Sequence, residues 1–296
     1  MRIGVLTGGG DCPGLNAVIR AIVRKGESHG DEIIGFYDAW DGVMEQRTIA
    51  LKMASVRGIL PKGGTILGTR RGSPFESAEG VARVQRAFGE QRLGALIVIG
   101  GNGSLTVASM LHQQHGMPIV GVPKTIDNDV VGTDATFGFQ TAVQIATDAI
   151  PEQPLDIAEL ATIVARRHDR GRYASVVVVA EGARPRGVSQ MHGDVTHNHG
   201  DIAHFVGAEL AARTGYETRV VQLGYVQRGG TPTAYDRILS TRFGLAAIDA
   251  VHDRAFGQMV VLRCGEIERE SMTVTQGKTR TVDLELFRDV AATFFG

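Results

Sequence analysis

Three carboxylates occur within eight residues of one short stretch of the chain. Asp127, Asp129 and Asp134 lie in PKTIDNDVVGTD, directly after the apolar run MPIVGVP. Carboxylates this close repel one another, so holding them together costs stability unless a cation, a donor network or a substrate compensates. A solvated turn needs only one Asp or Asn beside a glycine. The pattern therefore favours a chemical site here, with a plain turn as the alternative.

Glycine-rich turns follow two further apolar runs. GGGDCPG occupies residues 8–14, and GGNGS occupies residues 100–104. In open parallel sheets, ligands bind at the carboxyl ends of strands. Glycines let the backbone approach phosphate oxygens, and a following helix adds N–H donors. Three such strand ends indicate a phosphate-bearing ligand, although tight packing of strand against helix is the alternative for the first turn.

These turns differ from the common nucleotide-binding motifs. GGGDCPG does not fit G-x-G-x-x-G, and the chain contains no G-x-x-x-x-G-K-[ST]. The sequence therefore disfavours a standard dinucleotide enzyme and a P-loop NTPase.

Composition limits the class of protein. The chain has 296 residues, of which 43% are hydrophobic and 21% charged, enough for one large or two medium domains. A formal net charge of -1 gives no bulk attraction to nucleic acid or anionic membranes. The two cysteines offer no disulfide framework, and the chain has no apolar run long enough to cross a membrane. Glycines break the first apolar stretch, so we do not expect a signal peptide in it. We therefore expect a cytoplasmic protein without nucleic-acid or membrane partners.

Short apolar runs alternate with helical patterns along the chain. Unbroken Val/Ile strands that alternate with helices are typical of parallel sheets covered on both faces. The fold class expected is α/β, with two doubly wound, Rossmann-like parallel sheets that bind ligands at their strand carboxyl ends. Pro151 and Pro154 predict a break near residue 150. The predicted strands are 2–7, 32–37, 95–101, 118–123, 175–182, 218–226 and 258–263.

Five stretches together resemble the 6-phosphofructokinases. They are GGGDCPGLNAVIR, PKGGTILGT, GGNGSL, PKTIDNDVVGTD and VQRGGTPTAYDR, which come from both halves of the chain. The resemblance implies phosphoryl transfer to the 1-hydroxyl of fructose 6-phosphate, with Mg²⁺ as cofactor and ATP as donor, or pyrophosphate as the alternative. It also implies a homo-oligomer, dimer or tetramer, in which Arg219 reaches a neighbouring subunit's site.

The resemblance assigns roles to individual residues. Asp127 matches the base that accepts the proton of the attacking hydroxyl, a role that suits a carboxylate beside a phosphate site. Thr125 matches a contact to the transferring group, and Arg71 matches a cation that neutralises it. Positions matching the donor site are Gly10, Trp40, Arg71, Gly72, Gly101, Asn102, Gly103 and Ser104. Positions matching the sugar-phosphate site are Thr125, Ile126, Asp127, Asp129, Glu181, Arg219, Tyr225 and Arg228.

Two residues depart from the family's pattern. Asn102 replaces an acid that helps to hold Mg²⁺, and an amide is a poorer ligand for this ion than a carboxylate. Asn102 and Asp129 are the implied metal ligands. Tyr225 replaces a histidine that contacts the sugar phosphate, and tyrosine carries no positive charge.

A larger departure is a missing segment. Family members carry a few tens of residues between the positions that match Ile150 and Pro151, including a Met-Gly-Arg substrate motif that this chain does not contain. The helix that runs straight into PEQP without a linker favours omission of the segment from this sequence, with true loss as the alternative. True loss would leave the substrate side incomplete, so a catalytically impaired homologue that serves as a ligand-binding regulatory subunit is an alternative function. The implied domains are 1–138 with 227–277 for the donor and 139–226 with 278–296 for the sugar phosphate.

The choice of donor depends on two positions. Gly103 matches the ATP-using pattern, because an acid there would fill the nucleotide's space. Lys124 is more frequent among pyrophosphate users but also occurs in ATP users. The steric reasoning at Gly103 favours ATP.

Overall fold

The structure is a computed structural model. It describes residues 1–149, 157–170, 177, 179, 201–221, 227–281 and 283–285. The chain divides into a first unit, Met1–Ile145 with Tyr225–Asp283, and a second unit, Ala146–Gly224 with Leu284–Gly296. The first segment of the first unit ends at residue 145, and the division into a donor domain and a sugar-phosphate domain stays a prediction.

A seven-stranded sheet forms the centre of the first unit. Its order is β3-β2-β1-β4-β5-β6-β7, and the five inner strands run parallel. The strands are β1 (Arg2–Thr7), β2 (Glu32–Phe36), β3 (Thr48–Leu51), β4 (Ala95–Gly100), β5 (Ile119–Pro123), β6 (Gln258–Arg263) and β7 (Glu266–Ser271). The expectation of an α/β sheet is confirmed here, but the sheet is mixed because its two edge strands pair antiparallel.

Helices cover both faces of this sheet, as unbroken apolar strands require. Along β4, Ile97 and Ile99 pack with α1 and α8, whereas Leu96 and Val98 pack against the opposite layer of α2, α3 and α4. The helices of the first unit are α1 (Leu15–Ser28), α2 (Trp40–Met44), α3 (Gly80–Glu90), α4 (Asn102–His115), most of α5 (Phe139–Ala149) and α8 (Ala234–His252).

The order of the strands reverses at β1. The chain runs outward from β1 to β2 and β3, then crosses to the other side of β1 to form β4 and β5. The carboxyl ends of β1 and β4 therefore flank a topological switch point, where open α/β sheets bind ligands. GGGDCPG and GGNGS follow these two strands.

The second unit contains two described helices, α6 (Ile157–Asp169) and α7 (Asp201–Thr214). They share a small apolar core made by Ile157, Leu160, Val206 and Leu210. The predicted strands at 175–182 and 218–226 lie largely outside the described residues, and residues 218–221 are described without strand pairing. The predicted second parallel sheet is therefore not part of what the structure describes. Among the described helices, none is both long and apolar enough to cross a membrane.

Candidate active site

The turns after β1 and β4 pack against each other through Ser104. A Cβ at Gly8 would lie 2.5 Å from the Ser104 hydroxyl, and a Cβ at Gly100 would lie 2.4 Å from the Ser104 Cβ. Glycine is therefore favoured at Gly8 because the neighbouring turn approaches closely, and at Gly100 because the start of α4 packs back on it. The two turns and the first turn of α4 form one surface, lined by the N–H groups that a helix start leaves without helical partners.

The turn Gly8–Gly14, here called the donor loop, is fixed by the segment before Arg71. The Gly9 N–H donates to the Arg70 carbonyl at 3.0 Å, and the Thr69 hydroxyl donates to the Gly9 carbonyl at 2.6 Å. Asp11 accepts a hydrogen bond from the Cys12 N–H at 2.8 Å. Burial raises the pKa of the Cys12 thiol to about 12, so this group stays neutral and takes no part in charge balance.

Lys124 follows β5 and points into the donor loop. Its side chain is buried, and its ammonium group donates to the Gly10 carbonyl. Burial lowers the pKa of Lys124, and the neighbouring carboxylates of Asp11 and Asp127 offset this effect only in part. A cation of the first unit thus lies against the loop that the sequence assigns to the donor.

Arg228 brings a second cation to the same loop. Its Nη1 donates to the Asp11 carbonyl at 3.3 Å, and a Cβ at Gly10 would lie only 2.3 Å from this nitrogen. Burial raises the pKa of the Asp11 carboxyl, while the hydrogen bond from Cys12 and the charges of Lys124 and Arg228 act in the opposite direction. The donor loop therefore carries one carboxylate between two cations.

A further glycine-rich segment completes the wall beside Arg228. A Cβ at Gly63 would lie 2.4 Å from the Gly229 carbonyl, so residues 61–64 pack directly on residues 228–230. The Asn16 side chain fixes this segment by donating to the Lys62 and Gly63 carbonyls at 3.2 and 3.1 Å. Residues 61–64 and 228–230, which belong to motifs that are far apart in the sequence, are therefore in direct contact.

Asp127 lies at the carboxyl end of β5 with its side chain exposed. Its N–H donates to the Thr125 hydroxyl at 3.0 Å, and the Thr136 hydroxyl donates to the Thr125 carbonyl at 3.0 Å. Thr125 and Ile126 are each only 8% exposed, so the turn beneath Asp127 is fixed. Among the described residues, the Asp127 carboxylate has no hydrogen-bond or ion-pair partner, which leaves it available as a base.

Asn102 and Asp129 are in direct contact. The Asn102 Nδ2 donates to the Asp129 carboxylate at 3.1 Å and to the Asp129 carbonyl at 3.2 Å. The Asn102 Oδ1 is buried and has no hydrogen-bond partner. A carboxylate and an amide oxygen without a partner are ligands of the type that Mg²⁺ takes, since this ion commonly binds one or two protein groups and completes its shell with phosphates and water. Within the described part of the chain, no group of three or more His, Cys, Asp or Glu residues offers a larger metal site.

Asp134, the third carboxylate of the motif, has a structural role. Its side chain accepts a hydrogen bond from the Cys264 N–H at 2.7 Å, and its N–H donates to the Leu262 carbonyl at 2.8 Å. These bonds attach the Asp127 turn to the β6–β7 hairpin. The three clustered carboxylates therefore divide into one structural residue and two at the candidate site.

The remaining predicted donor residues differ in accessibility. Arg71 and Gly72 are exposed, and no described residue pairs with the Arg71 side chain. Trp40 is only 1% exposed and packs in the apolar cluster with Phe36 and Val43. The ring of Trp40 is therefore part of the core in this structure, and its assignment beside a nucleotide stays a prediction.

The predicted sugar-phosphate residues are distributed over both units. Arg228 lies in the first unit, as described above. Arg219 lies in the second unit, where its side chain is 85% exposed and its Nε donates to Glu217 at 3.0 Å. Glu181 and Tyr225 lie outside the described residues.

Asp11, within GGGDCPG, is a site residue that the sequence did not predict. Its carboxylate is half-buried beside Lys124 and Arg228. The signal that could have found it is its place in a glycine turn at a strand end, where a carboxylate repels phosphate unless nearby cations compensate.

This geometry defines an α/β protein whose glycine turns and cations meet at a topological switch point, an arrangement of the kind that binds phosphate groups. The family model described as phosphofructokinase matches residues 2–151 and 149–251. The chain therefore belongs to the phosphofructokinase family.

Two relatives whose names give different phosphoryl donors are about equally similar to this chain in sequence. The chain is 43% identical to a pyrophosphate–fructose 6-phosphate 1-phosphotransferase of Streptomyces coelicolor, with 100% of each chain covered. It is 44% identical to ATP-dependent 6-phosphofructokinase 3 of the same organism, with 95% of this chain and 96% of the relative covered.

Solved structures agree on the fold. A Pichia pastoris phosphofructokinase in the T-state matches with a TM-score of 0.76 and 27% identity, covering 99% of this chain but only 36% of the Pichia chain. A pyrophosphate-dependent phosphofructokinase of Marinobacter aquaeolei matches with a TM-score of 0.79 over 96% of this chain and 86% of its own. At 17% identity, the latter shows the fold alone.

The same comparisons show that this chain lacks an internal segment that its relatives contain. The first alignment above spans 344 positions and includes all of both chains, yet this chain has 296 residues. The family model matches in two pieces that meet at residues 149–151. The relatives therefore contain a few tens of residues that this chain lacks, and the two pieces of the match place the junction at the start of the second unit.

Proposed function

We propose that this protein transfers the γ-phosphoryl group of ATP to the 1-hydroxyl of fructose 6-phosphate, giving fructose 1,6-bisphosphate and ADP. The observation that carries the proposal is the exposed Asp127 carboxylate at the end of β5, beside Lys124 and the donor loop. The relatives named above support the acceptor, since both names describe a fructose 6-phosphate phosphotransferase or a 6-phosphofructokinase.

In this proposal, Asp127 accepts the proton of the sugar's 1-hydroxyl as that oxygen attacks the terminal phosphorus. A positioned base typically contributes about 10²–10⁴-fold to the rate. Thr125 helps to hold the turn and faces the transferring group. The fixed turn beneath Asp127 matters because phosphoryl transfer depends mainly on positioning and charge stabilisation.

The donor phosphates lie against the donor loop and the first turn of α4. Gly10, Gly72, Gly101 and Ser104 line this surface, where N–H groups approach phosphate oxygens without side chains between them. Lys124, Arg71 and Arg228 supply positive charge to the transferring and leaving oxygens. Asp129 and the Asn102 Oδ1 would hold Mg²⁺, which supplies further charge neutralisation on the phosphates.

The proposed donor is ATP because of the space at Gly103. A Cβ at this position would meet nothing within 4 Å, so the first turn of α4 leaves room for the rest of a nucleotide. A carboxylate at the same position would crowd and repel an α-phosphate. Trp40, buried in the core, has no part in nucleotide binding in this proposal.

Pyrophosphate is the second candidate donor. Lys124 favours it, since the buried ammonium lies against the donor loop, where it can bind a compact, highly charged anion. One relative named above uses pyrophosphate by name.

The sugar phosphate is proposed to bind Arg228, Ile126, Asp129, Glu181, Tyr225 and Arg219, with Arg219 supplied by a second copy of the chain in a cytoplasmic homo-oligomer. More than one guanidinium is expected, because a bidentate Arg–phosphate pair supplies both charge and orientation.

A coupled assay tests the proposal. Purified protein with Mg²⁺, fructose 6-phosphate and either ATP or pyrophosphate should form fructose 1,6-bisphosphate, faster with ATP. Asp127→Ser should lower kcat by at least ~10²-fold with a smaller change in KM. A faster reaction with pyrophosphate than with ATP would reverse the donor assignment. If no product forms with either donor, the result would support the regulatory-subunit alternative.

A further inference from the structure

The proposed base is open to water. Asp127 is exposed, and among the described residues nothing hydrogen-bonds to its carboxylate. The turn that carries it is nevertheless fixed by Thr125 and Thr136. A rigid, accessible carboxylate can accept a proton from water as readily as from an alcohol, provided that a phosphoryl group lies within reach.

The donor side is contained in the first unit. The donor loop, the start of α4, Lys124, Asp127 and Asp129 all belong to this unit. The unit has two apolar clusters of its own, one on each face of the sheet. The groups that would bind and polarise a phosphoryl donor therefore do not depend on the second unit.

The acceptor side is shortened. The junction at residues 149–151, where the two matched pieces of the family meet, lies at the start of the second unit. The chain thus keeps the donor half of the family match and lacks a few tens of the residues that its relatives carry next to it. Kinases limit hydrolysis because bound acceptor and closed loops exclude water from the site. A chain with a shorter acceptor side has fewer residues available for this exclusion.

We propose that this protein also hydrolyses its phosphoanhydride donor, using water in place of the sugar hydroxyl. Water attacks the terminal phosphorus, the bond from that phosphorus to the bridging oxygen breaks, and Asp127 accepts one proton from the water. The products are two phosphates from pyrophosphate, or ADP and phosphate from ATP. The inference rests on the donor half of the proposed function and is independent of its acceptor.

The test measures phosphate release without any sugar. The protein is incubated with Mg²⁺ and pyrophosphate, or Mg²⁺ and ATP, in ¹⁸O-enriched water, and the released phosphate is analysed by mass spectrometry. We expect steady release with one donor or both, with one solvent oxygen incorporated for each bond broken. In the ATP arm, the label should enter phosphate and not ADP. Asp127→Asn should lower release at least ~10²-fold.

Asp134→Asn is the matched control. It makes the same chemical change in the same motif, and an amide oxygen can still accept the hydrogen bond from the Cys264 N–H. Its release should equal that of the unaltered protein, and thermal melts should show that all three proteins are folded. Equal release from the Asp127→Asn protein and the unaltered protein would assign the activity to a contaminant and overturn the inference.

A second measurement separates this inference from the proposed function. With fructose 6-phosphate present, sugar bisphosphate and free phosphate are counted in the same sample. Asp127-dependent phosphate release without sugar phosphorylation supports hydrolysis and overturns the transferase proposal. In the ATP arm, sugar phosphorylation with phosphate release no higher than in Asp127→Asn overturns hydrolysis alone. In the pyrophosphate arm, transfer itself releases one phosphate for each sugar bisphosphate, so the corresponding result is equal amounts of the two products. If neither sugar bisphosphate nor Asp127-dependent phosphate is formed, the hydrolysis inference and the transferase proposal are both overturned.

Discussion

The Arg228 guanidinium lies against the backbone of Gly10, with its Nη1 bonded to the next carbonyl, that of Asp11, at 3.3 Å across 217 residues of sequence. This contact brings the last of the glycine-rich motifs to the first. The sequence assigns Arg228 to the sugar-phosphate site. The contact therefore places a residue of that predicted site on the donor loop. Arg228 is therefore positioned to respond to ligands on both sides.

The space at Gly10 can be tested directly. A Cβ there would lie 2.3 Å from the Arg228 Nη1, and the φ angle of Gly10 is not in the left-handed region, so only the contact opposes alanine. Gly10→Ala should displace the guanidinium and lower kcat/KM by about 10²-fold, as misplacement near 1 Å can. Steady-state kinetics measure this effect.

Gly89→Ala provides the control for that variant. A Cβ at Gly89 meets nothing within 4 Å, and the residue lies in α3, away from the site. Its activity should be unchanged and its thermal stability equal or slightly higher, because alanine favours helix. An unaltered kcat/KM in folded Gly10→Ala would show that the Arg228 contact does not matter for turnover.

Donor choice is predicted to depend on Gly103. Gly103→Asp places a carboxylate at the open first turn of α4, where it would crowd and repel the α-phosphate of ATP. The kcat/KM for ATP should fall far more than that for pyrophosphate. Gly103→Asn, which has nearly the same size without the charge, separates crowding from repulsion. Equal losses with both donors would contradict the steric reasoning.

The metal site can be tested through Asn102. Asn102→Asp replaces the hydrogen bond to Asp129 with two carboxylates at close range, which repel each other without a cation. We expect a lower melting temperature without Mg²⁺, a larger rise in melting temperature when Mg²⁺ is added, and tighter Mg²⁺ binding by calorimetry. Asn102→Ala should remove the hydrogen bond without gaining affinity. A melting temperature that responds equally to Mg²⁺ in all three proteins would place the ion elsewhere.

The sequence predicted the parallel strands well because their apolar runs are buried on both faces. The edge strand β7 escaped prediction for the converse reason. β7, EIERES, is mostly polar and partly exposed, so no apolar run marks it. It forms because Cys264 and Gly265, both at positive φ, close a tight hairpin after β6.

The site was predicted unevenly, for physical reasons that differ between residues. Turn residues such as Gly8 and Thr125 follow strands, so their position at the sheet edge could be derived from the sequence. Trp40 could not be placed in this way, because an aromatic residue at a strand end fits either a ligand or the core. Asp129 lies at the candidate site and Asp134 has a structural role because of their contacts with residues that are distant in the sequence. A local sequence pattern cannot predict such contacts.

The last prediction concerns acid stability and the N-terminus. The Asp31 carboxylate is fully buried and bonds both the Met1 ammonium and the His252 Nε2, each at 2.7 Å. Burial alone would raise the pKa of Asp31, but hydrogen bonds from these two groups outweigh burial and lower it. A carboxyl whose pKa is lower in the folded protein stabilises the fold above its unfolded pKa. This stabilisation is lost as the pH falls below the ordinary value of 3.8 toward the folded value.

Asp31→Asn should therefore lower the free energy of unfolding by about 2 kcal/mol at pH 7, since hydrogen bonds to charged groups are lost from a buried site. The difference from the unaltered protein should narrow as the pH falls below 3.8. Urea titrations at several pH values, followed by circular dichroism, measure both effects. Glu32→Gln is the control, because this neighbouring carboxylate is exposed and its ion pair with Arg2 should contribute little. A constant difference at every pH would show that Asp31 acts through packing rather than charge.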